Sequence, residues 1–458
     1  MVSLTRRQLL IRAAYVAPIA LLTGGATASC QGLQLPPRSP SQPAFAWYGI
    51  NTHLSFLGEG AVWANTDAAV EWLLDLGVGA VRQYLPRTTH GRAAVQQGMK
   101  LLGAAGVRWS CPVLELEDVT TLNRARRVVN EQLDWLESNT DLALLDSLPG
   151  LNEPNSGGKA IANWANLTRW AQQAIYEETR KRSDFDHVLV QGPPLNMKGG
   201  AKEIVPDVQA LGGLERWLDR GDVHLYPGDD DPEVMVDERL ALLAPIHPGK
   251  PVCVSEGGYA TSVDRGYTGG SVLVSEDAAA LYAPKQLLVH AMAGRLFFSY
   301  ELLEEADPLQ DTERSVREAG FGLVRTPTTD PDSWSPKPGF DAIRRFLALA
   351  QDARINPAVS LLAKVTSDGT DLRTALLDRS DGTSLLAVWR AVDLYDWDPD
   401  TLSGSPVTVQ PEQVTIVLDE RRPVVVHQPS LRDAPTDVFI AKDFTLAVGG
   451  ELQVLEIE

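Results

Sequence analysis

Between Phe45 and Ala350, short apolar runs alternate with helix-patterned stretches, eight times in order. The runs are bounded by Gly, Pro, Asn and Asp, as strands are, and the stretches between them repeat apolar residues at helical spacing. Such an alternation builds a parallel sheet covered by helices. The runs at Trp47–Asn51, Gly79–Gln83, Val107–Leu114, His187–Gly192, Asp222–Tyr226 and Arg295–Tyr300 read as strands. A fourth strand ends at Asn152-Glu153 and a seventh at Glu256. Helices are expected at Val70–Leu76, Val95–Ala105, Leu122–Leu136, Ile161–Arg182, Pro232–Leu243, Ala278–Ala291 and Gly339–Ala350, with another closing over Leu211–Leu218. Eight such units in about 300 residues fit one TIM (β/α)8 barrel. A dinucleotide-binding sheet is excluded, because no Gly-rich turn follows an early strand with an acidic residue about 20 positions on.

After Asp352 the texture changes. Runs such as Leu372–Leu377, Ser384–Trp389, Val407–Val409, Val414–Leu418, Val424–His427, Val438–Ile440 and Leu452–Ile457 are β-prone and separated by Asp, Gly and Pro. They read as an all-β sandwich. The expected division is therefore a barrel over 45–350 and a sandwich over 351–458.

Residues 1–30 read as a targeting segment. Thr5-Arg6-Arg7-Gln8-Leu9-Leu10 resembles a twin-arginine export signal, and an apolar stretch from Ala13 to Leu22 follows. That stretch is short for a membrane span and is interrupted by Pro18. Two cleavage readings stand: a signal peptidase cut after Ala28, or a lipobox that leaves Cys30 as a lipid anchor. Residues 31–44, rich in Pro, Ser and Gln, read as a flexible linker. The protein is thus expected to be exported, either secreted or held at the cell surface.

The net charge is -19, which repels phosphate backbones and argues against a nucleic-acid partner. Of the three cysteines only Cys111 and Cys253 lie in the body. They fall on opposite strands of the expected barrel, too far apart for a disulfide, so two buried free thiols are expected. No CxxC or clustered His/Cys spacing points to a metal.

The chemistry concentrates in Gly150-Leu151-Asn152-Glu153-Pro154-Asn155 and Val252-Cys253-Val254-Ser255-Glu256-Gly257-Gly258-Tyr259. Each sets a glutamate at the end of an apolar run before a sharp break, where a barrel strand delivers a side chain to the rim. Two carboxylates on one rim are the equipment for hydrolysing a glycosidic bond. In His224-Leu225-Tyr226 the first and third residues point the same way, which is read as the barrel interior. Arg82 ends the second strand. Candidate rim residues that could bind sugar are His53, Glu115, Glu117, Asn155, Asn196, Tyr259, Tyr267, Tyr300 and Glu301.

These motifs resemble those of the clan A glycoside hydrolases, and the barrel followed by a sandwich is similar to the β-xylosidase/α-iduronidase or arabinofuranosidase/glucuronidase branches. The resemblance implies Glu153 as acid/base and Glu256 as nucleophile of a retaining reaction that needs no cofactor and no metal. It implies Asn152 on the sugar 2-hydroxyl, Tyr226 holding the nucleophile and Arg82 orienting it. It departs at Phe297-Phe298-Ser299-Tyr300-Glu301, where many members end the eighth strand on tryptophan. A general acid must hold a proton near neutrality, so Glu153 is expected to have a raised pKa, with the charge of Glu256 supplying the push. Two rivals share these residues: a non-catalytic cell-surface carbohydrate-binding lipoprotein, and a transglycosylase on the same scaffold.

Overall fold

The computed structural model describes residues 45–58, 61–156, 163–197, 201–261, 272–304 and 320–458. The expected signal, the linker, Cys30 and Tyr267 lie outside these residues.

Among the described residues, eight parallel strands form the barrel sheet: β1 Tyr48–Thr52, β2 Ala80–Gln83, β3 Arg108–Ser110, β4 Leu145–Pro149, β5 Leu189–Gln191, β6 Gly221–Leu225, β7 Val252–Gly257 and β8 Phe297–Ser299. Their order is β5-β4-β3-β2-β1-β8-β7-β6, and a parallel bridge between Gln191 and Arg220 joins the two ends. Eight helices wrap it: α1 Thr66–Leu76, α2 Thr89–Gly103, α3 Leu122–Asn139, α4 Trp164–Thr179, α5 Ala201–Leu211, α6 Val236–Leu243, α7 Glu276–Met292 and α8 Pro338–Ala350. β1 and β6 are buried along their whole length, as strands covered on both faces must be. Helix starts are fixed locally: Thr88, Thr121 and Ser275 each accept a hydrogen bond from a backbone N–H of the first turn.

Within the barrel a polar layer links the strands. Arg220 donates to Asp146 at 2.6 Å, to Ser147 at 2.9 Å and to Gln191 at 2.7 Å. Gln191 in turn donates to Asp222 at 2.6 Å. The Arg220 charge is thereby paired at a depth where an unpaired charge would be costly.

A two-strand ribbon, β9 Val324–Arg325 with β10 Ser335–Pro336, precedes α8. The C-terminal strands are β11 Arg354–Asn356, β12 Ala363–Thr366, β13 Leu372–Asp378, β14 Ser384–Arg390, β15 Tyr395–Asp398, β16 Ser403–Pro406, β17 Glu412–His427, β18 Asp437–Val448 and β19 Gln453–Ile457. All pair antiparallel. β17 shifts register between Val417 and Arg422 and changes partners there, from β12 before the shift to β19 after it. Side chains from both halves, Ile416 and Leu418 with Val424 and Val426, enter one buried cluster, which is the sandwich core. The described residues form one compact unit. The fold is thus a TIM barrel followed by a C-terminal all-β sandwich.

Several elements differ from the sequence reading. β4 stops at Pro149, so Leu151 to Ser156 is loop and Pro154 ends no strand. Gly150 still donates to the Gln191 carbonyl at 3.0 Å and approaches Gln172 and Pro193 so closely that an added Cβ would lie 2.4 and 2.8 Å from them. Helix α5 ends at Leu211, and only a short 3-10 turn, Glu215–Trp217, lies in the stretch expected to close it. Val407–Val409 is not a strand; the hairpin strands β15 and β16 precede it instead. The runs at 414–418 and 424–427 are one strand, because tolerance of a bulge lets β17 cross the charged Asp419–Arg422 segment. Cys111 and Cys253 are buried free thiols, and burial pushes the Cys111 thiol up to about 12.

Candidate active site

β1 and β2 run in register with Asn51 beside Arg82. β6 and β7 do not keep an even register: Val223 pairs with Val254, but His224 pairs with Glu256, leaving Ser255 as an extra residue. A bulge of this kind re-aims the side chain that follows it. Glu256 is therefore turned toward Arg82 and Tyr226 rather than continuing the strand's alternation. The chain then turns sharply. A Cβ on Gly257 would lie 2.5 Å from the Leu225 carbonyl oxygen, and Gly258 takes a φ of +149°. Both positions require glycine.

Arg82 is buried and forks. Its Nη1 donates to Glu256 Oε1 at 2.7 Å and to Asn51 Oδ1 at 2.9 Å, and its Nη2 donates to Asn152 Oδ1 at 2.8 Å. Burial works against the guanidinium charge, but adjacent Glu256 more than restores it and the pKa is raised. Tyr226 donates its hydroxyl to Glu256 Oε2 at 2.9 Å. Burial, then the charge of Glu256, pushes that hydroxyl far above the usual phenol range, so it stays a donor.

Glu153 stands in the loop after β4 with φ of 41°, in the left-handed region that non-glycine residues seldom adopt. Its N–H donates to the Pro194 carbonyl at 3.1 Å, which helps hold the turn. The carboxylate accepts from Asn196 Nδ2 at 2.7 Å and Ser156 Oγ at 3.1 Å. His224 Nδ1 lies 2.9 Å from Glu153 Oε1 and 3.4 Å from Glu256 Oε2. One carboxylate oxygen each of Glu153 and Glu256 and one ring nitrogen of His224 lie within 4.8 Å of one another.

The expected raised pKa of Glu153 is not found. Burial does push it up, but the hydrogen bond and charge of His224, with Asn196 and Ser156, outweigh burial and hold it at about 2. His224 moves the other way. Burial opposes its charge, yet Glu256 and Glu153 together raise its pKa. Both shifts favour a charged imidazole between the two carboxylates.

The structure thus joins Glu153, Glu256, Asn152, Tyr226, His224 and Arg82 into one network at the C-terminal end of the barrel. His53 and Tyr300 belong to a neighbouring aromatic group. His53 packs 4.6 Å from Phe56 and 6.0 Å from Tyr300, with Nε2 3.2 Å from buried Glu301. Tyr300 meets Phe321 at 5.7 Å, and Phe321 meets Tyr226 at 5.2 Å, so the group adjoins the network.

Two members have roles that the sequence reading missed. Asn51, read only as part of a strand, donates to the Ser255 and Ser299 carbonyls at 2.9 and 3.1 Å and so ties β1 to β7 and to the end of β8. Tyr84 places its ring 5.6 Å from the Arg82 guanidinium carbon. Its position two residues after Arg82 was the available signal, since alternate residues along an extended chain share a face.

No protein-family model matches the sequence, and no curated protein matches it. Solved structures do match in fold. A family 51 α-L-arabinofuranosidase, AbfB from Bifidobacterium longum, superposes with a TM-score of 0.54 at 11% identity, over 92% of this chain and 97% of the other. The GH51 arabinofuranosidase from Xanthomonas axonopodis pv. citri gives 0.53 at 12% identity, over 92% and 98%. The glycoside hydrolase family 30 subfamily 8 xylanase Xyn30A from Clostridium acetobutylicum gives 0.52 at 9% identity, over 91% and 97%. The chain has the fold of these clan A glycoside hydrolases, sandwich included.

Proposed function

We propose that the protein is an exported retaining glycoside hydrolase that cleaves a glycosidic bond in a poly- or oligosaccharide by double displacement. The observation that carries the reading is the convergence of two carboxylates, whose nearest oxygens lie within 4.8 Å, on an imidazole between them. Retaining enzymes set their carboxyl groups about 5–5.5 Å apart, whereas inverting ones leave about 6.5–9.5 Å for a water. The similarity of fold to arabinofuranosidases and a xylanase is consistent with this chemistry.

Glu256 is the nucleophile. Arg82 and Tyr226 hold one oxygen each, which fixes the carboxylate for attack on the anomeric carbon. Glu153 is the acid/base. Its side chain is 24% exposed against 10% for Glu256, so it faces the side from which leaving group and water pass. The proton it delivers is stored on His224 and crosses the 2.9 Å hydrogen bond as the leaving oxygen gains charge. Once Glu256 is esterified its charge is gone, and Glu153 takes a proton from the incoming water. Asn152, exposed at the mouth and oriented by Arg82, is placed to bind the sugar 2-hydroxyl.

The test is a screen of the mature protein against aryl glycosides and cell-wall polysaccharides, with Glu153→Gln and Glu256→Gln beside it. Turnover by the wild type and its loss in both variants is expected, with the anomeric configuration of the first product retained. Activity that survives Glu256→Gln would end the nucleophile assignment.

A further inference from the structure

The loop after β6 begins at Tyr226 and continues Pro227-Gly228-Asp229-Asp230-Asp231. Three consecutive carboxylates repel one another and would splay such a loop into solvent. Here the loop is gripped from the C-terminal domain. The Asp229 carboxylate accepts from the Trp397 N–H at 2.9 Å, and Asp393 accepts from the Asp231 N–H at 2.8 Å. Both holding residues lie on the connection from β14 into β15 or on β15 itself.

Barrel residues complete the grip. Tyr282 on α7 donates to the Asp229 carbonyl at 2.8 Å and accepts from the Leu394 N–H, bridging loop and sandwich through one hydroxyl. Tyr259, three residues after Glu256, stacks on Tyr282 at 4.7 Å and donates to the Asp230 carbonyl at 3.0 Å. Fully buried Lys285 reaches both Asp231 and the Arg390 carbonyl at 3.4 Å. Leu394, Tyr395 and Trp397 are buried against Tyr259 and Tyr282 in a cluster separate from the sandwich core. The β15–β16 hairpin therefore packs on the chain exits of β6 and β7, the two strands that deliver Tyr226 and Glu256.

We infer that this hairpin is a clamp of the active site, and that Asp393 and Trp397 are positioning residues that act through the Asp229–Asp231 loop on the Tyr226–Glu256 hydrogen bond. The inference rests on the glycosidase reading for its kinetic consequence but not for its geometry. It makes the second domain a working part of the site rather than an appended module.

A double-mutant cycle tests it in the full chain. Asp393→Ala and Asp229→Ala are each combined with wild-type Tyr226 and with Tyr226→Phe. Coupling within one hydrogen-bonded network predicts a loss of about five- to tenfold in kcat with KM little changed. In the Tyr226→Phe background the same substitutions should alter kcat by less than about twofold, because the hydroxyl they position is already gone. Asp393→Asn keeps an oxygen for the Asp231 N–H and should restore most of the rate. Equal losses in both backgrounds, or a lowered Tm with unchanged kcat, would overturn the clamp.

A second readout needs no substrate. Nitrogen NMR of His224, which lies 3.4 Å from Glu256 Oε2, reports the charge on that carboxylate. Asp393→Ala should raise the His224 titration midpoint when Tyr226 is present and leave it unmoved in Tyr226→Phe. An unmoved midpoint in both backgrounds counts against the clamp whether or not the protein turns over a glycoside.

Discussion

Replacing Arg82 with lysine keeps the charge and removes the fork. Arg82 presents two nitrogens to three acceptors: Glu256 and Asn51 from Nη1, Asn152 from Nη2. A lysine ammonium is a single point on a shorter reach, and it cannot span Glu256 and Asn152 together. The costs differ by acceptor. Asn152 is exposed and regains a hydrogen bond from water, whereas Asn51 is 2% exposed and does not. One buried acceptor left unpaired costs about 1–3 kcal/mol of stability. Losing one charge-assisted hydrogen bond at the reacting end, at about 1.5–3 kcal/mol, lowers kcat/KM by about 10- to 150-fold. The assays are urea unfolding and steady-state kinetics on an aryl glycoside that the wild type hydrolyses. Arg82→Met, which strips the charge from a buried pair, should cost more stability, about 3–5 kcal/mol. If Arg82→Lys stays within about threefold in kcat/KM and about 0.5 kcal/mol in stability, the forked geometry is not what holds the site.

Three further outcomes are expected. His224→Asn removes the proton store. The raised imidazole pKa means that the wild-type proton is retained below it and lost as pH rises through it, so the alkaline limb of the rate profile should lie above the ordinary histidine value of about 6.5. In His224→Asn the limb should fall to lower pH, because Glu153 must then hold the proton itself; a pH profile that does not move would refute the storage role. The same pair contributes to stability. Glu153, held down at about 2, stabilises the fold above its unfolded value and loses that contribution as pH falls toward 2, so Glu153→Gln should flatten the acid end of a Tm-against-pH curve. Phe346 on α8 is fully buried and meets Phe45 edge-on at 6.0 Å, so Phe346→Ala should cost about 3–5 kcal/mol in urea unfolding without changing the pH profile.

Local pattern was enough for the barrel and for the identity of its rim. Strand and helix periods are set by residues within a few positions of each other, so the eight units were legible from β1 to α8. His224 and Tyr226 were legible for the same reason, since alternation along a strand tells which residues share a face, and Arg82 and Glu256 were legible from their places at strand ends; the bulge that aims Glu256 was not. The path after β4 was not, because its contacts, such as the Glu153 N–H on the Pro194 carbonyl, lie far along the chain and no local period encodes them. The β15–β16 hairpin was missed because its Ser403-Gly404-Ser405-Pro406 strand has little β propensity and is held by pairing to Tyr395–Asp398.

The sequence by itself determined which side chains reach the mouth of the barrel; the tertiary structure decided what state they are in. Arg82 and Glu256 are 174 residues apart in the chain, and His224 and Glu153 are 71 apart, yet each pair is in hydrogen-bond contact. A pKa sums burial and charge over neighbours in space, so the direction of each shift could be read only once those neighbours were brought together. That is why Glu153, expected with a raised pKa from its role alone, is instead held at about 2 by the adjacent His224, and why the β15–β16 hairpin proved to pack against the loop that follows Tyr226.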